Sequence, residues 1–225
     1  MTKVKHAILS IGFLAAAPLA AQTTVVTFDN GGEGWDGNGL VESDGGNPGA
    51  NFRFLLETFG IEIRNSSNPD FTGDFTRFGE VTVGIDALAN SITFKGNEVS
   101  RNLIVEFRSH ALAQDGYEYA SVWYNLGILQ ASPEWGTYAV TFTPASTELP
   151  EGWGGYGAED PETFEPILPP GVTFADVMAT TDELAFTTFE PGWFYGFTIF
   201  DARFDNVFID RAGDTDVVFE NGFDP

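Results

Sequence analysis

The side chains best suited to recognition chemistry in this sequence are aromatic. From Tyr117 to Leu126 the residue types alternate, so an extended chain sets Ala120, Val122, Tyr124 and Leu126 on one face. Tyr117, Tyr119, Ser121, Trp123 and Asn125 fall on the other. Aromatic rings stack on the apolar C–H face of a sugar while neighbouring amides and hydroxyls bond its hydroxyls, which makes the second face a candidate glycan surface. Trp153-Gly154-Gly155-Tyr156 offers two further rings in a Gly-rich loop, and Tyr119, Trp123, Trp153 and Tyr156 together form the candidate ligand-binding set. Burial of both faces under sheet and loop would explain the same pattern, since aromatics are enriched in strands for packing alone.

Catalytic chemistry has less to work with, and no catalytic residue is assigned. There is no Cys, which removes thiolate nucleophiles, disulfides and cysteine zinc sites. Beyond residue 21 the only histidine is His110, so histidine zinc clusters are excluded, and no Gly-x-Ser-x-Gly elbow accompanies it. Paired carboxylates for glycoside cleavage stay open, because 33 Asp and Glu make many pairs and spacing in the fold decides which of them count.

The elements that must hold these residues are short strands. The chain has 225 residues, 43% hydrophobic and 15% aromatic with 22 Phe, enough for a full core in which large rings dominate. Gly 26 and Pro 12 imply many turns. Lys3 and Lys5, the apolar run Ala7 to Ala17 and Pro18-Leu19-Ala20-Ala21 have the form of a secretory signal peptide over residues 1–21. The run is shorter than the roughly 20 residues a membrane span needs, so no membrane insertion is expected after cleavage. Removing the two leader lysines leaves eight basic residues against 33 acidic ones, a formal charge of −25. Nucleic acid and anionic lipid are therefore poor partners. Between Arg108 and Arg203 there is no Lys or Arg and there are fourteen Asp and Glu. A solvated acidic surface is the plain explanation of that stretch, and a cation-binding face the sharper one.

Along the chain, Thr23 to Phe28 reads as the first strand and Asp29-Asn30-Gly31-Gly32 ends it. Trp35 among glycines is expected to fold back as a core plug. Leu40 to Glu42, Asn51 to Phe59, Glu80 to Asp86, Ser91 to Lys95, Asn102 to Arg108, Tyr117 to Leu126 and Thr137 to Thr143 follow as strands, with Ser43 to Gly49 as a loop and Ile61 to Arg64 continuing its predecessor. Pro144 to Gly171 is dense in Pro, Gly and acids and reads as a long loop, commonly a functional feature. Thr173-Phe174-Ala175-Asp176 has capping-box spacing and predicts one short helix over 173–179. Leu184 to Thr188, Trp193 to Phe200 and Arg203 to Asp210 complete the strands. One domain over 22–211 and a tail over 212–225 are expected.

In their order and spacing, Gly45-Gly46-Asn47-Pro48-Gly49, Phe71-Thr72-Gly73-Asp74, Phe78-Gly79, Trp135 before Tyr138-Ala139-Val140, Trp153, the short helix and Phe204-Asp205-Asn206-Val207 resemble the laminin B domain, or laminin domain IV. The resemblance runs from about Phe28 to Asp210. It implies an all-β jelly-roll β-sandwich of two antiparallel sheets, similar to galactose-binding and carbohydrate-binding modules. The chain departs from the animal setting in lacking Cys and flanking EGF-like repeats, and Val218-Phe219-Glu220-Asn221-Gly222-Phe223-Asp224 resembles a short tail of exported Gram-negative proteins. Related jelly rolls hold a structural Ca2+ where the first strand's exit meets the last strand, and the matching positions are Asp29, Asn30, Gly31, Asp201 and Asp205. The expectation is thus an exported bacterial protein, secreted or on the cell surface with the periplasm also open. Its function would be noncatalytic binding of a glycan or extracellular protein. A glycan-active hydrolase and a structural extracellular matrix component are the alternatives.

Overall fold

The computed structural model describes residues 22–214, so the leader and the tail from residue 215 lie outside the described residues. In chain order the strands are β1 (Gln22–Val26), β2 (Trp35–Gly37), β3 (Leu40–Gly46), β4 (Gly49–Thr58), β5 (Glu62–Asn65), β6 (Phe78–Phe94), β7 (Asn97–Glu98) and β8 (Arg101–Ser109). They continue with β9 (Ala120–Leu129), β10 (Gly136–Phe142), β11 (Trp153–Tyr156), β12 (Ala158–Glu159), β13 (Pro166–Ile167), β14 (Glu183–Thr187) and β15 (Thr198–Asp214). Among the described residues one α-helix, α1 (Phe174–Ala179), interrupts them, with a short 3-10 turn at His110–Leu112.

Two antiparallel sheets face each other, as expected for a jelly-roll sandwich. The first runs β10-β6-β15-β4-β3, with β1 added to β15 and β7 to β6; the second runs β11-β9-β8-β14-β5-β2. Period-two alternation decides which side chains meet between them. Phe52 and Phe54 of β4, Val83 and Ile85 of β6, and Phe204 of β15 point inward from the first sheet and are buried. Leu103, Val105 and Phe107 of β8, Val122 of β9, and Leu184 and Phe186 of β14 meet them from the second. Trp35 plugs one end against Phe71, ring centroids 5.2 Å apart, in keeping with the core role expected of it.

The elements differ from the expected ones in ways that have physical causes. β6 is one strand where two were expected, because its Ser91 to Phe94 end pairs with β15 and β7 and has no reason to turn. β5 does not extend β4; the chain crosses at Gly60 to the other sheet and pairs with β14. Ser43 to Gly46, expected in a loop, continues β3 through an irregularity. Within the expected loop Pro144 to Gly171 lies β11, which pairs with β9, and the ribbon β12–β13. Trp193 to Phe197 is loop, and β15 begins at Thr198. It then runs through Ala212 and Gly213 to Asp214, past the expected domain end at 211.

The capping box is as the spacing predicts. The Thr173 hydroxyl oxygen accepts from Asp176 N at 3.1 Å, and the Asp176 carboxylate accepts from Thr173 N at 2.9 Å. The Thr173 hydroxyl, donating to the Asp176 carboxylate at 2.6 Å, and then the Thr173 N–H hold that carboxyl below its usual range. Thr173→Ala is expected to cost about 1 kcal/mol, the usual value of a lost cap, read as a lower urea midpoint at unchanged slope.

Candidate functional site

The outer face of the second sheet carries a cluster of polar and aromatic side chains. The register sets Trp123 of β9 opposite Glu106 of β8 and Gly154 of β11, and Ser121 opposite Arg108 and Tyr156. Three of the four expected ligand residues therefore gather here. Tyr119 and Tyr156 pack at 5.4 Å between ring centroids, with Tyr117 against Tyr156 at 5.3 Å. Trp123 lies one side-chain repeat, roughly 7 Å, along the strand from the position opposite Tyr156 and about two repeats from Tyr119.

Trp153 is a correction. Its side chain faces the opposite way, into the sandwich, and is only 9% exposed. Its indole sits 4.9 Å from the Phe142 ring, 5.0 Å from Phe174 and 5.4 Å from Tyr124. The reason is the pleat: once residues 153–156 form an edge strand, Trp153 must point opposite to Gly154, whose outer side is covered by the Trp123 indole. A Cβ at Gly154 would collide with that ring, so glycine here is what lets Trp123 lie flat across β11.

Trp123 is the floor of a groove of about 380 Å³ walled by Thr163, Phe164, Glu165 and Pro166 on one side and Pro191, Gly192 and Trp193 on the other. Two turns build the walls. Asp160 Oδ1 accepts from Glu162 N at 2.8 Å and Thr163 N at 2.9 Å, folding the turn of the β12–β13 ribbon and presenting Phe164 at a positive φ of 61°. Opposite it, Glu190-Pro191-Gly192-Trp193 closes with Trp193 N donating to Glu190 O at 3.0 Å. Proline at the second position and glycine at φ 82° at the third are what a type II turn requires. The loop is anchored behind Trp193 by Phe194 and Phe197, whose rings lie 4.9 and 4.0 Å from Phe59. Trp193 and Phe164 are left 69% and 73% exposed. Sequence reading missed both, since it placed Trp193 on a strand; the Pro-Gly pair ahead of it was the available signal.

Beside the groove the face is a closed electrostatic network. Arg108 Nε donates to Glu106 Oε2 at 2.8 Å, Nη1 to Glu183 Oε1 at 2.8 Å and Nη2 to Glu62 Oε2 at 2.7 Å. The Ser121 hydroxyl donates to the other oxygen of Glu106. Burial works against the Arg108 charge, but Glu106 and Glu62 outweigh it and hold its proton more firmly than usual. Burial pushes the Glu106 carboxyl up, against the pull of Arg108. Tyr119 lies over the guanidinium at 4.9 Å, and burial beside Glu106 pushes its phenol up, so it stays neutral. Every carboxylate of the network is engaged by Arg108, which leaves none placed as a free acid and nucleophile pair. His110 is tied to Asp182 at 2.7 Å, and the neighbouring Ser109 hydroxyl is taken by Thr180.

Of the expected calcium positions, Asp29 and Asp205 lie near each other and Asp201 stands apart. Asp201 pairs with Arg53 at 3.2 Å. Asp29 Oδ1 accepts from Ala50 N at 2.9 Å, and the buried Asp205 accepts from Asn47 N and from Asn206 N. Burial, then the nearby Asp86 and Asp29 charges, push Asp205 up against those two N–H groups. Asn206 Nδ2 ties Asp86 to Asn47 O, so the acids serve as hydrogen-bond locks between β1, the β3–β4 hairpin, β6 and β15. Asn30 and Gly31 form the turn after β1, with Gly31 N donating to Phe28 O. Among the described residues no group of three or more His, Cys, Asp or Glu is placed to hold a metal.

No family model matches the chain, and no curated protein matches it in sequence. Solved structures are similar to it in fold. An exo-β-agarase is 9% identical with a TM-score of 0.47 over 84% of this chain, which spans 25% of that enzyme's chain. A xylan-binding domain from carbohydrate-binding module family 22 is 11% identical with a TM-score of 0.43, covering 84% of this chain and 94% of its own. A family 29 carbohydrate-binding module from Piromyces equi is 10% identical with a TM-score of 0.37, covering 90% of this chain and 98% of its own. Among the described residues no helix is long and apolar enough to cross a membrane.

Proposed function

We propose that the chain is a noncatalytic glycan-binding module that holds its ligand in the Trp123–Phe164–Trp193 groove. The carrying observation is the pair of exposed rings, Trp193 and Phe164, set on turns on either side of a third ring fixed to the sheet. Rings held this way lose little conformational freedom when a sugar stacks on them. Tyr119 and Tyr156 extend the surface along the sheet and offer neutral phenols to sugar hydroxyls. An exported setting, expected from the leader and from the laminin B resemblance, belongs to the same proposal. The hydrolase alternative loses support because the Glu106, Glu62 and Glu183 carboxylates are bound to Arg108.

Trp193→Ala is expected to reduce glycan retention about tenfold or more, the scale of losing one stacked ring, with little change in melting temperature. Affinity electrophoresis against a polysaccharide panel, beside a thermal melt, reads both quantities. Unchanged retention in Trp193→Ala and in Phe164→Ala would remove the groove as the binding site.

A further inference from the structure

Taking the groove as the glycan site just proposed, the charge around it narrows the ligand further. Its lining residues include Glu165 and no Lys or Arg. Both walls come from the part of the chain between Arg108 and Arg203 that contains no basic residue. Glu159, Asp160, Glu162 and Glu165 share the ribbon that forms one wall, and Asp160 is held below its usual range by the Thr163 and Glu162 N–H groups, so it stays ionised. Glu190 opens the turn of the other wall, where its carboxylate accepts from Asn102 Nδ2 at 2.7 Å.

The cations of the same sheet face are already engaged. Arg108 is surrounded by Glu106, Glu62 and Glu183. Arg64 lies between Glu62 and Glu183. Arg101, on the opposite side of β8 by the pleat, is packed 4.4 Å over the Tyr195 ring and donates to Thr198 of the other sheet. The groove is thus an aromatic-lined concavity in a field of negative sign, with no local cation to offset it.

We propose that the groove prefers a glycan bearing primary amines, a polymer of 2-amino-2-deoxy sugars, over neutral or acidic glycans. The C–H face of such a sugar stacks on Trp123 and Trp193, while its ammonium group sits beside the ring faces and Glu165. Aromatic faces attract cations through their quadrupole, and a groove of one sign raises the local concentration of the opposite sign. A uronic or sulfated glycan meets the same field as repulsion.

Calorimetric titration of the full chain with a glucosamine hexamer, its N-acetylated counterpart and cellohexaose tests this, at about pH 5.5 where the amine is protonated and exposed carboxylates are ionised. The amine hexamer is expected to bind about tenfold tighter than either neutral sugar, with a gap that narrows in high salt and in Glu165→Gln. Trp193→Ala, which leaves the charge unchanged, is expected to weaken its binding as well. Equal or tighter binding of a neutral hexamer overturns the amine preference and leaves the groove as a glycan site. Amine binding that is indifferent to Trp193→Ala shows attraction to the acidic surface at large and also overturns it. Absence of binding by all three sugars counts against the glycan-binding proposal itself.

Discussion

Trp153→Ala is expected to destabilise the domain by roughly 3–5 kcal/mol, the range for truncating a large buried ring. Spread over a domain of this size, that is a fall of about 10 °C in melting temperature. The indole touches both sheets and the helix. Phe107 lies 6.0 Å away on β8, Phe142 4.9 Å away on β10 and Phe174 5.0 Å away on α1, so its removal leaves a cavity that three separate elements would have to close. Trp153→Phe refills part of the space and should recover a good share of the loss. Below the transition the folded variant should retain glycan as the parent does, because the groove contains no atom of Trp153. Trp193→Ala should behave in the opposite way, losing retention and keeping stability. A Trp153→Ala protein that melts with the parent would place the ring outside the core.

Arg108→Met is the other large effect, about 3–5 kcal/mol, because it strands a fully buried carboxylate. Glu106 would keep one hydrogen bond, from Ser121, and lose its cation, while Glu62 and Glu183 would add repulsion from either side. The sign with pH follows from that burial. A carboxylate whose folded pKa is raised disfavours the fold when ionised, so the deficit is absent below the unfolded pKa and appears as pH rises through the folded one. The variant should therefore lose most near neutral pH and recover part of its stability as pH falls, in urea titrations run side by side with the parent. Glu106→Gln added to Arg108→Met should restore a large part of the loss, since the two side chains are in contact and their effects do not add. A single variant as stable as the parent at neutral pH would show that the network carries no energy.

Much of the architecture was legible in the residues. Alternation identified β4, β8 and β10 nearly to their ends and β9 displaced by three residues, and the faces of β9 came out as expected, with Val122 inside and Ser121 and Trp123 outside. The Thr173 to Asp176 spacing located α1 and its cap. Such features are local, carried by pleat period and by hydrogen bonds between near neighbours. The acidic, lysine-free stretch that sets the field around the groove could also be counted directly.

Which aromatic rings face solvent is a different matter, because it depends on the partner that each segment finds. Trp153 stands beside two glycines and reads as loop; pairing with β9 makes it a strand residue, and the pleat then sends its ring inward. Trp193 follows Pro-Gly and precedes a true strand, and the turn, anchored on Phe59 from a distant part of the chain, sends its ring outward. Asp201 and Asp205 are neighbours in sequence, yet Arg53 takes the first and the Asn47 backbone the second, so Asp201 is drawn away from Asp29 and Asp205. The sequence alone thus determined an acidic, aromatic-rich all-β sandwich with a capped helix. The tertiary structure decided which rings became core and which became groove, because burial and charge pairing are set by residues far apart in the chain.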